Sequence, residues 1–85
     1  MREEVKARLK TILVSLFDWL QGRDIEDGNK LRDDLQIDSV SLVSLQVEVE
    51  DQFGLRFDPV QTDLAEVFLT VESLARYIAE SRERL

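Results

Sequence analysis

Eighty-five residues, 44% of them hydrophobic and 34% charged, are enough for one small core and too few for two. Cysteine and histidine are both absent, which excludes a disulfide framework, a thiolate zinc site, a thiol nucleophile, and the commonest general base and metal ligand at neutral pH. The net charge of −7 is concentrated in the middle: residues 24–72 hold 13 acidic side chains and 3 basic ones (Lys30, Arg32 and Arg56), a surface that repels nucleic acid and anionic lipid and attracts basic protein faces.

No apolar run approaches the ~18–20 residues that span a membrane. The charged start, Met1 to Lys6, has no apolar stretch after it and is not a secretory signal. These features predict a cytoplasmic, monomeric protein without membrane insertion, folded as a single domain over residues 1–85.

Residues 2–20 read as a first helix, with Val5, Leu9, Ile12, Leu13, Leu16 and Leu20 at spacings of three and four. Gly22 is its expected stop. Residues 21–38 fit neither a helix nor a strand, because Gly22, Asp24, Asp27, Gly28 and Asn29 break the periodicity. Leu31, Leu35 and Ile37 would be costly to leave in water, so this stretch reads as a long ordered loop pinned to the core by those three side chains. Ordered loops of this length in small domains are usually functional.

A second helix is predicted over 39–53, ended by Gly54. Leu55 and Phe57 alternate with Arg56 and Asp58 in a short extended piece before Pro59. Asp63 with Glu66 resembles a capping box and opens a short third helix carrying Leu64, Val67 and Phe68. Thr70 caps a fourth helix with Val71, Leu74, Ala75 and Ile78 on one face. The fold class is all-α: a four-helix bundle with a short third helix and a long loop between helices one and two.

The second helix carries two apolar stripes. Leu42, Leu45, Val49 and Phe53 form the core stripe, and Val40, Val43 and Val47 form another well round the helix. A helix buried on both sides would leave Glu48, Glu50 and Asp51 hard to solvate. The better reading is an exposed apolar strip with an acidic rim, a docking face for a protein partner. Ser39 stands where this helix begins, after Asp38. By itself, Asp-Ser before an apolar run is a helix cap. The position also suits a phosphate-linked group, since an ester there meets the free amides and the positive end of the helix.

Taken in order, these residues resemble the acyl carrier proteins, which carry phosphopantetheine on a serine. The resemblance rests on Leu31 and Leu35, Asp38-Ser39, the aliphatic Val40, Val43 and Leu45, and the run Glu50-Asp51-Gln52-Phe53-Gly54, with Ser39 to Phe53 spaced without a gap. It extends to the Thr70–Ile78 segment and so covers essentially the whole chain. It implies a carrier and not an enzyme. Ser39, with Asp38 beside it, would hold the phosphopantetheine arm of coenzyme A after attachment by a phosphopantetheinyl transferase. Acyl-transferring or acyl-modifying enzymes with basic docking surfaces would read Val40, Val43, Val47, Glu48, Glu50 and Asp51.

Two departures bear on the pathway. Val40 follows the serine where the family usually has Leu or Met, and Ser41 and Ser44 stand at positions often acidic in fatty-acid carriers. They point to a specialised carrier of a fatty-acid, lipid or polyketide-type pathway. Gln36-Ile37-Asp38-Ser39 lacks the glycines usual in peptidyl carriers, although an aminoacyl load stays open. A second class of reading is a carrier-like interaction module that is never modified. A calcium loop starting at Asp24 fails, because its bidentate acid would fall on Leu35.

Overall fold

A computed structural model describes residues 2–83; Met1, Arg84 and Leu85 lie outside the described residues. Four α-helices, α1 (Arg2–Leu16), α2 (Ser39–Phe53), α3 (Leu64–Val67) and α4 (Val71–Glu83), build the described part, with a single 3₁₀ turn at Asp18–Leu20 and no strand among the described residues. None of these helices is long and apolar enough to cross a membrane. Helix α1 packs against both α2 and α4, and α3 against α4.

The first helix ends four residues earlier than the periodicity predicts. Phe17 is extended, at φ −121° and ψ 107°, and the chain re-coils into the 3₁₀ turn. The run Phe17-Asp18-Trp19 is poor in helix formers, and Asp18 competes with the backbone for local hydrogen bonds. The break still sends both Phe17 and Leu20 into the core. Trp19 lies tilted against Phe17 with ring centroids 5.0 Å apart and donates its indole N–H to the Leu35 carbonyl at 2.8 Å.

Val5, Leu9, Leu13, Leu45, Val49, Phe53, Leu74 and Ile78 meet in one apolar cluster. The loop joins it through Leu31, Leu35 and Ile37, as its composition predicts, and also through Ile25. Leu42 departs from expectation: it is half-buried beside the cluster, not within it. The guanidinium of Arg8 lies 4.4 Å from the Phe53 ring centroid and donates to the Gln52 carbonyl, closing α1 over the end of α2. Gly54 then takes the left-handed conformation (φ 67°) that lets its N–H return to the Glu50 carbonyl and end the helix.

The loop is also stitched to the turn between α3 and α4. Lys30 and Thr70 form an isolated antiparallel bridge, Leu31 N–H donates to the Leu69 carbonyl, and Val71 N–H donates to that of Asn29. Thr70 caps α4 as predicted. Its box partner is Ser73, each side-chain oxygen accepting the other residue's N–H at 3.0 Å. An ionic knot completes the attachment. Lys6 Nζ lies 2.8 Å from Glu72 and 2.9 Å from Asp27, and Lys10 reaches Asp27 at 3.2 Å, so α1, the loop and α4 share one cluster.

Hydrogen bonds that Lys6 donates to Glu72 and then Asp27 hold its ammonium above its ordinary pKa, while Lys6 and Lys10 hold the Asp27 carboxyl below its own. A raised lysine contributes stability that is full below its unfolded pKa of about 10.4 and lost as pH rises through the higher folded value. A lowered aspartate contributes stability present above about 3.9 and lost as pH falls through the lower folded value. Thermal melts of Lys6→Met and parent protein should therefore differ most between about pH 4 and pH 10, and the gap should narrow below about pH 4. A gap that stays constant through the acid range would show that Lys6 contributes only packing.

Candidate functional site

Helix α2 starts because Asp38, extended at φ −79° and ψ 176°, turns its carboxylate onto the helix and accepts the Ser41 N–H at 2.8 Å. That backbone bond, then the Ser41 hydroxyl, holds the Asp38 carboxyl below its ordinary pKa, and the charge of Arg32 adds to the effect. The Leu42 N–H goes to the Asp38 carbonyl at 2.9 Å. Part of the amide set expected to receive a phosphate is thus already taken by Asp38. Ser39, the first residue of the helix, is exposed, and its hydroxyl makes no hydrogen bond to a described residue.

The chain reaches this corner through Gln36, whose φ of 59° is the only left-handed non-glycine backbone among the described residues. Ile37 then turns into the core and donates its N–H to the Leu31 carbonyl at 3.0 Å. The pair Asp38-Ser39 is set outward between a buried anchor and a helix.

The two stripes of α2 separate as the spacing predicts. Leu45, Val49 and Phe53 are buried, and Val40, Val43 and Val47 are 79%, 60% and 59% exposed. No acid stands in the first turn. The acidic residues divide. Glu50 and Asp51 share a surface depression with Val47, Leu55 and Arg56, whereas Glu48 lies in the groove between α1 and α2 with Arg8 and Ser15 and accepts a hydrogen bond from Gln52 at 2.8 Å. Glu50 is partly committed, since its carboxylate accepts the Phe57 N–H at 2.9 Å and fixes the chain after the helix. Asp51 is exposed.

On the other side of Val43 lies a groove of about 470 Å³ that the sequence reading missed. Leu42 and Val43 of α2 face Leu64, Phe68 and Leu69 across it, and Lys30, Arg32 and Asp33 of the loop close one edge. Its signal in the sequence is faint: Leu42 has core spacing, and the edge is visible only as two of the three bases in an acidic stretch.

A family model described as a phosphopantetheine attachment site matches residues 7–78. The chain is 31% identical over 81 residues to an acyl carrier protein of Chloroherpeton thalassium, covering 95% of this chain and 96% of that one. It is 39% identical over 77 residues to an acyl carrier protein of Desulforapulum autotrophicum, covering 87% and 92%.

Two substitutions test this geometry. Leu45→Ala should cost about 2–5 kcal/mol in denaturant unfolding, whereas Val47→Ala two residues on should stay within about 0.5 kcal/mol of the parent. Equal losses would mean the second stripe is packed. Replacing Gln36 by Gly removes the side-chain penalty of the left-handed backbone and should stabilise by about 0.5–1 kcal/mol, read as a melting temperature a few degrees higher. A lower melt would show that Gln36 is held there by contacts worth more than the strain.

Proposed function

This chain belongs to the acyl carrier protein family, and on that premise we propose that Ser39 bears its phosphopantetheine arm and that α2 presents the arm to a succession of enzymes. Members of this family carry rather than catalyse. The arm, when bound, supplies a thiol on which acyl groups are held as thioesters. The observation that carries the assignment is the exposed, unbonded hydroxyl of Ser39 at the start of α2, next to an exposed uncharged stripe. The fit extends to the rest of the chain. No cysteine competes with the arm for the load. Asp38 holds the first turn by its side chain, so the serine is fixed without being consumed.

The neighbouring serines fit less well. Ser41 gives its N–H to Asp38 and is half-buried, and Ser44 lies a turn further on, where the benefit of the helix end has faded.

In this reading the chain is a single carrier domain over 1–85 with an acyl-carrier bundle, working as a cytoplasmic monomer. Its partners are a phosphopantetheinyl transferase and acyl-transferring or acyl-modifying enzymes. They bring apolar contact to Val40, Val43 and Val47 and basic groups to Asp51 and Glu50, with Glu48 reached only by a partner that also covers α1. The uncharged first turn, with Ser41 and Ser44, favours a specialised fatty-acid, lipid or polyketide-type pathway whose enzymes do not rely on charge there.

Intact mass tests the assignment. Co-expression with a promiscuous phosphopantetheinyl transferase should add the mass of one arm to the parent and nothing to Ser39→Ala, whose circular dichroism should remain helical. Modification surviving in a folded Ser39→Ala protein would move the site elsewhere. A parent that takes no arm would leave only the unmodified interaction module.

A further inference from the structure

Two side chains from the segment after α1 reach across to consecutive backbone carbonyls of the loop. Arg23 donates to the Asp34 carbonyl at 3.2 Å, and the indole N–H of Trp19 donates to the Leu35 carbonyl at 2.8 Å. Among the described residues Trp19 is the only donor to that carbonyl. The Leu35 carbonyl belongs to the peptide plane that leads into Gln36, and Gln36 holds the left-handed φ of 59°. Turning that plane over changes φ of Gln36 by about 180°, into the negative range that side-chain-bearing residues prefer. It also turns the Leu35 oxygen away from Trp19. The indole bond and the left-handed residue are therefore formed or lost together. Leu35 and Ile37 on either side are buried, whereas Gln36 is exposed and its side chain makes no hydrogen bond to a described residue. No contact of its own side chain keeps Gln36 left-handed.

Resting on the carrier reading, we infer that Trp19 is a positioning residue for arm attachment: it locks the Leu35–Gln36 peptide and, through it, the place of Ser39. The cost of a left-handed non-glycine residue and the gain from a single hydrogen bond are of comparable size and opposite sign, so the bond decides which backbone is populated. Without it the extended backbone gains about five-fold on the left-handed one. An extended residue spans more chain than a left-handed one, so the change displaces Ile37, Asp38 and Ser39, which follow directly. In arm transfer the Ser39 oxygen forms a bond to a phosphorus of coenzyme A. The pyrophosphate bond breaks to release adenosine 3′,5′-bisphosphate, and the hydroxyl proton passes to a base of the transferase. Such an attack needs the oxygen in one place, since a misplacement of about 1 Å can cost up to ~10²-fold in rate. Trp19 acts on this step only through Gln36.

The test is a cycle of Trp19→Phe against Gln36→Gly, since glycine takes the left-handed backbone without steric cost. Arm transfer from coenzyme A by the transferase is followed by intact mass, at a temperature where every variant is folded by circular dichroism. Trp19→Phe should lower kcat/KM about five-fold in the parent background and by less than about two-fold in the Gln36→Gly background. The amide-to-α-proton coupling of Gln36 should move towards its extended value in Trp19→Phe. Gln36→Val reaches the same joint without touching Trp19, because a β-branched residue resists φ above zero, and it serves alone if Trp19→Phe does not fold. It should slow transfer likewise and let the indole N–H of Trp19, the one tryptophan of the chain, exchange faster with solvent. An equal loss from Trp19→Phe in both backgrounds overturns the inference, because the ring would then act only by packing. So does a Trp19→Phe protein that takes the arm at the parent rate, or a Gln36→Val protein whose indole N–H exchanges as in the parent. A parent that takes no arm overturns the carrier reading instead.

Discussion

The position of Ser39 depends on how the long loop after α1 is held. A segment of some eighteen residues without helix or strand loses much conformational entropy on folding, and the few backbone bonds within it, such as those of Leu35 to Lys30 and Ile37 to Leu31, offset only part of that. Burial does that here. Leu31, Leu35 and Ile37 are almost fully removed from water, and together with Ile25 they tie the loop to the packed faces of α1, α2 and α4. The bridge of Lys30 to Thr70, with its flanking backbone bonds, holds the loop to the α3–α4 turn, and the Lys6 knot holds it from the α1 side. Once Ile37 is seated, Asp38 and Ser39 have one way to go: outward, into the first turn of α2. Ser39 is thereby given a fixed and exposed place, as the proposed attachment of an arm there requires.

Much of this was legible in the sequence, for reasons that differ by segment. The helices α2 and α4 announce themselves because their apolar spacing is regular and their caps are local: Asp38 and Thr70, like Asp63 at α3, act within three residues of the groups they satisfy. The three loop anchors were legible because an isolated leucine or isoleucine in a polar run has little reason to be in water. The early end of α1 was not, since Phe17 and Leu20 have good helical spacing, the weak helix formers between them are only a slight signal, and the Trp19 bond to the Leu35 carbonyl that accompanies the break joins distant parts of the chain. Nor was the division of the acidic rim. Glu48 and Glu50 are two residues apart, and only packing decides that one faces α1 while the other binds the Phe57 amide. The choice of Ser73 as box partner of Thr70 escaped a pattern that looks for Glu.

Charge adds a second layer to the design. An acidic body keeps a small domain dispersed and draws basic partners towards it, yet the first turn of α2 carries no charge at all. In the proposed carrier reading, long-range attraction and close contact would therefore fall to different residues: steering to the spread of carboxylates around the body, and fit to the exposed valines around Ser39. Glu50 belongs to both the surface and the fold, because its carboxylate orders the chain at Phe57 while its charge contributes to the rim. Reversing that charge disturbs structure and steering together, so Asp51 is the cleaner probe of steering alone.

The valines themselves follow from a conflict between binding and solubility. Three residues over 50% exposed on one helix face form an apolar patch on the helix that Ser39 begins. Larger side chains would offer a partner more apolar contact, but would also promote self-association, which the proposed carrier, released by one enzyme after another, could not tolerate. Valine presents less apolar area than leucine or phenylalanine, and its stiff χ1 leaves little rotamer entropy to lose on docking. Its modest helix propensity is tolerable because Asp38 starts the helix, Gly54 stops it, and Leu45, Val49 and Phe53 anchor the opposite face. The stability of α2 thus comes from its buried side and its ends, which leaves its exposed side free for the recognition role proposed for it.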